Sequence, residues 1–411
     1  MPDTVLTHIT NLKAVKTRLG KLIFLDFSGS DLAQAHQELG AHVRNQVHKL
    51  LRHRLNGLQE DQLRELIHQT RMCHSTLLDR SKSTKVNPVI RSAIQQYLVC
   101  LDAWADGAAL SGFVHPRLEH RKSDLSPVSA RDLALLLQHD NTGCQTGLYR
   151  QKDGSVILWH TEEAFVSEPG SQFDQLRIAS FRAGNGNSSV MMNAFIYPDL
   201  LPGPAFGWRS DGFAQAVDAL LLKPFTQLQG GVLANVASWI TLRLGPAVNA
   251  QEVIEALGPF QDGYALNIVY SKRGQVYAKK VEFASNLIFP YLLGETPGEF
   301  LFQVNVFSQR QRLDLLKLEN ISLENRKTFE QRIRRTKRVL KCREPGASSS
   351  EELRFFFDLL ASRIGGEWAY ANADLKAYFL NRVSQTGMEI WLGPGAALRN
   401  EQPDVIRVQI P

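Results

Sequence analysis

The sequence has little cysteine: four residues in 411, at positions 73, 100, 144 and 342, with no C-x-x-C pair. Zinc ribbons and disulfide-stapled domains need clustered cysteines, so the spacing argues against both classes. Up to two disulfides could form, but scattered cysteines favour free thiols in a reducing compartment. Four histidines, listed here, are spaced six, six and five residues apart and do not share a helix face as metal ligands would: His36, His42, His48 and His53.

The sequence also lacks any apolar run of about 20 residues, so we expect no membrane span. Its first residues, "MPDTVLTHITNLKAVKTRLGKLIF", do not combine a charged start, an apolar segment and a small-residue cleavage site. We therefore expect no secretory signal and a cytoplasmic protein.

Charge of one sign is concentrated in a single segment. The formal net charge is +6, and residues 326–343, "RKTFEQRIRRTKRVLKCR", carry nine Lys or Arg against Glu330. This basic segment could meet nucleic acid, a membrane surface or a phosphorylated cofactor. The alternative is the solvated face of a helix, with Phe329, Ile333, Val339 and Leu340 as its apolar stripe. We favour the helix, and do not expect nucleic-acid binding, because no aromatic residues interleave for base stacking.

The hydrophobic pattern predicts blocks of helix and antiparallel hairpins. Residues 31–110 have helical spacing, as do residues 231–245, 249–258, 310–343 and 350–364, with a loop at 343–350. Turn signals predict hairpins around residues 152–154, 182–187 and 271–274. Further strands are expected at 299–308, 387–393 and 404–410. This organisation favours a layered α+β fold over a doubly wound parallel sheet.

Cys144 stands out because it follows Gly143 at the start of a predicted strand. If the peptide bond between them is cut, Cys144 gains a free α-amine beside its thiol. An α-amine has a pKa near about 7.7–8.0 and can act as a built-in base for the thiol. Glycine allows close approach of the thiol to the scissile carbonyl. Taken alone, the pattern also fits a purely structural Gly-Cys pair.

Several segments together resemble the acyl-coenzyme A:6-aminopenicillanic acid acyltransferase family, also called the isopenicillin-N acyltransferase family. "GCQTGLYRQKDGSVILWHTEE" resembles its Gly-Cys-Thr-Thr segment, hairpin and following Asn-Trp-Asp. "FLDFSGSDLAQAHQELGAHV" resembles its opening strand and helix, and "YPDLLPGPAFGWRSDGFAQAVDALL" its glycine-rich stretch. "VEFASNLIFP", "NVFSQRQRLDLL" and "GMEIWLGPG" resemble later segments in the same order.

The resemblance implies an N-terminal nucleophile hydrolase fold, a four-layer α-β-β-α sandwich of two antiparallel sheets. Residues 1–143 would form a mainly helical pro-segment, retained as a small chain. Residues 144–411 would form the large segment of the same domain. The implied activity is self-cleavage between Gly143 and Cys144, then hydrolysis or transfer of an acyl group through a thioester. The implied substrate is a small acyl amide or acyl-coenzyme A, with no metal or organic cofactor.

The resemblance also implies roles for individual residues. Cys144 matches the nucleophile, Asn286 the asparagine that donates to the oxyanion, and Glu163 the aspartate that orients the amine or assists cleavage. His160 matches a His/Gln position of the family. Five residues match segments that shape the substrate pocket: Trp208, Arg209, Ser308, Arg310 and Arg312.

The chain departs from the family pattern at four places near these residues. Gln145 replaces threonine, Thr161-Glu162-Glu163 replaces Asn-Trp-Asp, Arg209 replaces asparagine and Leu287 replaces histidine. These departures leave a second hypothesis open, in which the chain keeps the fold as a binding or scaffold protein without the activity.

Overall fold

The computed structural model describes residues 22–119, 127–138, 143–163, 176–183, 190–222, 231–308, 323–343, 349–360, 375–394 and 404–409. Arg310 and Arg312, the centre of the second predicted hairpin turn, and most of the predicted loop at 343–350 lie outside these ranges.

The first block of the chain is helical, as its apolar spacing predicts. Asp31 begins the first helix by accepting from Gln34 N–H, and Asn87 begins the third by accepting from Val89 N–H. Ser129 and Asp132 form a capping box at the start of the fifth. The five helices are α1 (Leu32–Gly57), α2 (Glu60–Lys82), α3 (Pro88–Gly107), α4 (Pro116–Glu119) and α5 (Ala130–Leu137), with a 3-10 turn at Leu110–Gly112.

Four further helices follow in the later part of the described ranges. They are α6 (Ala234–Leu244), α7 (Ala250–Leu257), α8 (Leu323–Lys341) and α9 (Ser349–Leu360), with a 3-10 turn at Gly245–Ala247. The predicted end of α6 at Gly245 and the predicted Asn249 cap of α7 are both confirmed. None of the helices in the described ranges is both long enough and apolar enough to cross a lipid bilayer.

The strands form two sheets. One sheet has eight strands in the order β1 (Leu22–Asp26), β4 (Leu176–Arg182), β5 (Met191–Phe195), β6 (Phe206–Arg209), β7 (Phe213–Ala219), β8 (Phe260–Lys272), β9 (Gln275–Ser285) and β10 (Leu287–Leu292). The other has six in the order β11 (Phe300–Val304), β2 (Gly143–Arg150), β3 (Val156–Glu163), β12 (Leu375–Val383), β13 (Gly387–Pro394) and β14 (Asp404–Gln409).

The three predicted hairpins are confirmed as the antiparallel pairs β2–β3, β4–β5 and β8–β9. In the last of these, Arg273 and Gly274 form the turn with φ of 53° and 72°. Two positive φ values match the twist of a two-residue hairpin, which explains the glycine.

The prediction of two purely antiparallel sheets is wrong at one edge, where β1 runs parallel to β4. About 150 residues separate the two strands, and they include five helices and the β2–β3 hairpin. A parallel pair requires a long crossover, and this intervening chain supplies it. The two sheets are therefore antiparallel except at β1.

Three apolar clusters show how the layers stack. The largest joins α1–α3, α5, α6 and α7 to one face of the eight-stranded sheet. A second contains side chains of both sheets, such as Leu148 and Leu158 against Phe206 and Ala214. A third joins β2, β3, β12 and β13 to α9 and the end of α8. The described elements thus follow the order helices, sheet, sheet, helices.

Helix α8 carries the basic segment and buries its apolar side. Phe329 and Ile333 pack with Val304 and Val306, while Leu340 joins the cluster under α9. The exposed residues include five basic side chains: Lys327, Arg334, Lys337, Arg338 and Lys341. The predicted amphipathic helix is confirmed, and a role in binding stays untested.

Candidate functional site

The pairing of β2 with β3 brings four polar side chains to one face of the six-stranded sheet. Cys144 lies opposite Glu162, and Thr146 lies opposite His160. Side chains two residues apart share a face of a strand, so both pairs point the same way. Leu148 and Leu158, next along this face, belong to the apolar layer between the sheets. The four polar residues therefore lie at one end of the intersheet layer.

Cys144 is held through both its backbone and its side chain. Its N–H donates to Asn305 Oδ1 at 3.0 Å, and its Sγ lies 3.5 Å from each carboxylate oxygen of Glu162. Asn305 is fixed in turn, because its Nδ2 donates to the carbonyl of Ala219 at 2.8 Å. The thiol is 2% exposed, so its immediate surroundings are protein groups.

Glu162 is the centre of a hydrogen-bonded chain. Its Oε2 lies 2.8 Å from His160 Nε2, and its Oε1 accepts from the Tyr197 hydroxyl. On the other side of the imidazole, His160 Nδ1 lies 2.8 Å from Thr146 Oγ1. Such a chain fixes the orientation of the imidazole and the carboxylate beside the thiol.

The facing sheet contributes a second set of buried polar groups. Asp218 of β7 accepts from Asn267 Nδ2 of β8 at 3.0 Å. Lys280 of β9 pairs with Glu282 at 2.9 Å and lies 2.9 Å from Gln303 Oε1. These side chains are nearly inaccessible to solvent. One end of the intersheet layer is therefore polar and charged.

Asp218 of the eight-stranded sheet interacts electrostatically with residues of the six-stranded sheet. Burial raises the pKa of its carboxyl to about 6, while the His160 imidazole and the Thr146 hydroxyl lower it and Glu162 raises it further. Burial likewise lowers the pKa of Lys280, which Glu282 and Asp218 partly restore. Perturbed pKa values in a buried polar cluster are typical of functional sites.

The other cysteines have different surroundings. Burial among apolar helices raises the pKa of Cys73 and of Cys100 to about 12, which makes both thiols unreactive at neutral pH. Cys342 is exposed near the end of α8. Cys144 differs from all three in lying beside a carboxylate–imidazole pair.

Two of the predicted catalytic residues are brought together, and two are not. Cys144 and His160 share the cluster through Glu162. The carboxylate beside the Cys144 thiol belongs to Glu162. The predicted Glu163 instead pairs with Gly143 in the strand register. The side chain of Glu163 lies outside the described residues. Asn286 occupies the exposed turn between β9 and β10, and the asparagine on Cys144 is Asn305.

The predicted pocket residues are dispersed. Trp208 is buried in the intersheet core and stacks on Phe379. Arg209 faces α6 on the opposite side of the sheet, where it binds Asp211 and the carbonyls of residues 242 and 243. These contacts give no support to a substrate role for Arg209. Ser308 is exposed and bonds to Glu282, beside the buried Lys280.

Five residues of the cluster were not among the predicted site residues: Thr146, Glu162, Tyr197, Asp218 and Asn305. A sequence signal existed for two of them. The period of two along a strand puts Thr146 on the face of Cys144, and Glu162 on the face of His160. Tyr197, Asp218 and Asn305 come from distant segments, and only the packing of the two sheets brings them to the site.

The cluster also has the donors of a metal site. One donor atom each from Cys144, His160 and Glu162 lies within 4.8 Å of the others, and all three residues are buried. Thiolate, imidazole and carboxylate are the three ligand types that zinc takes in proteins.

Comparison with known proteins identifies no family for this chain. No protein-family model matches the chain, and a search of curated proteins gives no significant match.

Proposed function

We propose that the chain is an N-terminal cysteine nucleophile enzyme, which cleaves itself between Gly143 and Cys144 and then acts on an acyl amide or thioester. In this proposal the two sheets and their helical layers form the α-β-β-α sandwich of an N-terminal nucleophile hydrolase. The free thiols of Cys73, Cys100 and Cys144 suit a reducing compartment such as the cytoplasm.

The observation that carries the proposal is a pair of contacts made by Cys144, one by its side chain and one by its backbone nitrogen. Its thiol lies 3.5 Å from the Glu162 carboxylate, and its backbone nitrogen lies 3.0 Å from Asn305 Oδ1. A carboxylate at this distance can take the thiol proton, which generates the nucleophilic thiolate. An acceptor already aimed at the backbone nitrogen can hold the α-amine that cleavage would release. Any buried backbone N–H needs an acceptor, but a structural cysteine does not need a carboxylate beside its thiol.

Self-cleavage would use the same groups in sequence. The Cys144 thiolate attacks the Gly143 carbonyl carbon, and the carbon–nitrogen bond breaks as the nitrogen takes a proton from Glu162. The resulting thioester is hydrolysed by water, which leaves a carboxylate on Gly143 and a free amine and thiol on Cys144. The His160–Glu162 contact of 2.8 Å steadies the carboxylate that transfers the proton.

Turnover would repeat this chemistry on a substrate. The Cys144 amine, with a pKa near about 7.7–8.0, takes the thiol proton and later protonates the leaving group. The acyl group is held as a thioester until water or an amine acceptor removes it. The substrate class is a small acyl amide or acyl-coenzyme A.

Intact-mass analysis of the purified full chain tests the proposal. We expect two products, residues 1–143 and 144–411, and Edman or peptide mapping should find the amine of Cys144 as a new N terminus. The variant Cys144→Ala should stay as one chain. Cys100→Ala, which removes a buried thiol in the helical core, is the matched control and should cleave as the unaltered protein does.

The enzyme hypothesis would be refuted by a chain that stays full-length and whose Cys144 does not react with a thiol-reactive acyl probe under native conditions. That outcome would favour the second hypothesis, a binding or scaffold protein with the same fold.

A further inference from the structure

Three different metal-binding donors converge on one point between the sheets. Sγ of Cys144, Nε2 of His160 and Oε2 of Glu162 all face this point, because strand register puts Cys144 opposite Glu162 and His160 two residues before it. Helical or C-x-x-C spacing is absent, which is why sequence patterns for metal sites do not detect it.

The distances suit a tetrahedral ion with little movement. Zinc bonds of about 2.3 Å to sulfur and 2.0–2.2 Å to nitrogen or oxygen separate tetrahedral ligand atoms by about 3.4–3.6 Å. The Cys144 sulfur already lies 3.5 Å from both Glu162 oxygens. His160 Nε2 lies 2.8 Å from Glu162 Oε2, so a small side-chain rotation would admit the ion. Three protein ligands leave a fourth position for water, as in catalytic zinc sites.

The neighbours of the three donors match what metal ligands require. His160 Nδ1 is tied to Thr146 Oγ1 at 2.8 Å, which leaves Nε2 as the ring nitrogen on the cluster side. The Tyr197 hydroxyl binds the other Glu162 oxygen and orients the carboxylate. Partners of this kind fix ligand orientation in known metal sites.

The local charge also favours a cation. Among the described residues, the polar end of the intersheet layer buries the carboxylates Glu162, Asp218 and Glu282, against Lys280 and the imidazole of His160. Carboxylates outnumber cations, and buried charge is costly unless it is compensated. A divalent ion would reduce this excess of negative charge where the His160 imidazole is neutral, because its two positive charges exceed the one negative charge of the bound thiolate.

We infer that Cys144, His160 and Glu162 bind Zn²⁺, and that the bound ion holds the Cys144 thiolate out of reaction. The binding site stands on its own geometry, whereas the inhibitory role rests on the proposed function. Zinc would thus slow cleavage of the chain until the ion is removed, because coordination to Zn²⁺ lowers the nucleophilicity of a thiolate.

Cobalt spectroscopy of the EDTA-treated full chain tests the site directly. We expect Co²⁺ to give a near-ultraviolet thiolate-to-cobalt charge-transfer band and tetrahedral visible bands, both displaced by Zn²⁺. Cys144→Ser should remove the charge-transfer band, and His160→Gln should weaken binding more than about 10-fold. Cys342→Ser, which alters the exposed thiol, is the matched control and should keep both the bands and the affinity.

A chain without the band, or a band that survives in Cys144→Ser, would overturn the zinc site. Intact mass of the same samples separates this result from the proposed function. Cobalt binding without any fragment 144–411 keeps the site and removes the inhibitory role. Where fragments form, Zn²⁺ should slow their appearance in proportion to its occupancy, and cleavage that ignores saturating Zn²⁺ would refute the inhibition.

Discussion

At the scale of single residues, strand register decides which glutamate lies beside the Cys144 thiol. Glu162 and Glu163 are neighbours in sequence, but Cys144 lies opposite Glu162 and Gly143 lies opposite Glu163. The carboxylate 3.5 Å from the Cys144 sulfur is therefore that of Glu162, and His160 and Tyr197 hold it there.

This assignment predicts a difference between two otherwise similar variants. Glu162→Gln keeps the shape of the side chain but removes its ability to accept the thiol proton. We expect it to slow formation of the fragment 144–411 by about 10²–10⁴-fold, the usual contribution of general acid–base catalysis. Glu163→Gln should change the rate less than tenfold. Rates come from intact mass over time, and the reverse ranking would restore the role that the family resemblance implies for Glu163.

A second residue-scale prediction concerns His36, which is fully buried in α1. Its Nδ1 lies 2.7 Å from the Leu32 carbonyl, and its Nε2 accepts from the Trp239 indole at 3.4 Å. Burial lowers the pKa of His36 to about 4, and the Leu32 carbonyl only partly offsets this. Between pH 6.5 and 4 the unfolded chain therefore binds a proton that the folded chain does not. Stability should fall as the pH drops through this window, by about 3 kcal/mol in total.

Urea unfolding followed by tryptophan fluorescence at several pH values measures this slope. His36→Gln should make the stability less dependent on pH in this window. His53→Gln alters an exposed histidine of the same helix and is the matched control, which should keep the slope of the unaltered protein. An unchanged slope in His36→Gln would show that other groups govern the acid sensitivity.

Some residues of the candidate site could be predicted from the sequence, and others could not. Cys144 could be found because a Gly-Cys pair at the start of a predicted strand is a local signal, whereas His160 was implied by the family resemblance. Asn305 could not, since it reaches Cys144 across 161 positions. Choosing Asn286 instead followed the family's order of segments, and the structure puts that residue in an exposed turn.

At the scale of elements, the crossing of α1 and α3 depends on two glycines. A Cβ at Gly40 would lie 2.2 Å from the Trp104 carbonyl oxygen, and one at Gly107 would lie 1.9 Å from the Gln37 carbonyl oxygen. Backbone atoms cannot turn away as side chains do, so the two helices approach this closely only because both positions lack a side chain.

A glycine-to-alanine pair on α1 tests this close approach. Gly40→Ala should destabilise the protein by about 1–3 kcal/mol, because the helices must separate. Gly57→Ala lies on the same helix with no atom within 4 Å of the added carbon, and should be neutral or stabilising by up to about 1 kcal/mol. Thermal unfolding gives both values, and equal effects would mean that the helices adjust freely.

Elements with local signals were predicted, and elements defined by distant partners were not. The turns of the three hairpins and the caps of α6 and α7 are encoded within a few residues. Strands β6, β7, β10 and β12 were missed. In β12 the alternation is erased because both faces are buried, one against the other sheet and one against α9. The parallel pairing of β1 with β4 depends on chain far from either strand.

At the scale of the whole molecule, residues before and after the proposed cut share one core. The largest apolar cluster combines α1, α2, α3 and α5 with strands and helices from residues 176–283. Strand β1 also belongs to the same sheet as β4 to β10. Among the described residues, no gap in packing accompanies the predicted boundary at residue 143.

This shared core predicts that a cleaved protein stays in one piece. Fragments 1–143 and 144–411 should elute together in gel filtration and separate only in denaturant, because separation would expose the apolar faces of α1 and α3. Separate elution under native conditions would contradict the packing. Cys144→Ala, which cannot cleave in the proposed function, provides the reference elution volume.

The place of β12 sets an order of events during synthesis. The strand that carries His160 and Glu162 has β2 on one side and residues 375–383 on the other. On the ribosome, that second edge has no partner until more than 200 further residues have been translated. The sheet that carries the thiol site therefore stays open at this edge until residues 375–383 have been translated, long after Cys144 and Glu162 have been added to the chain.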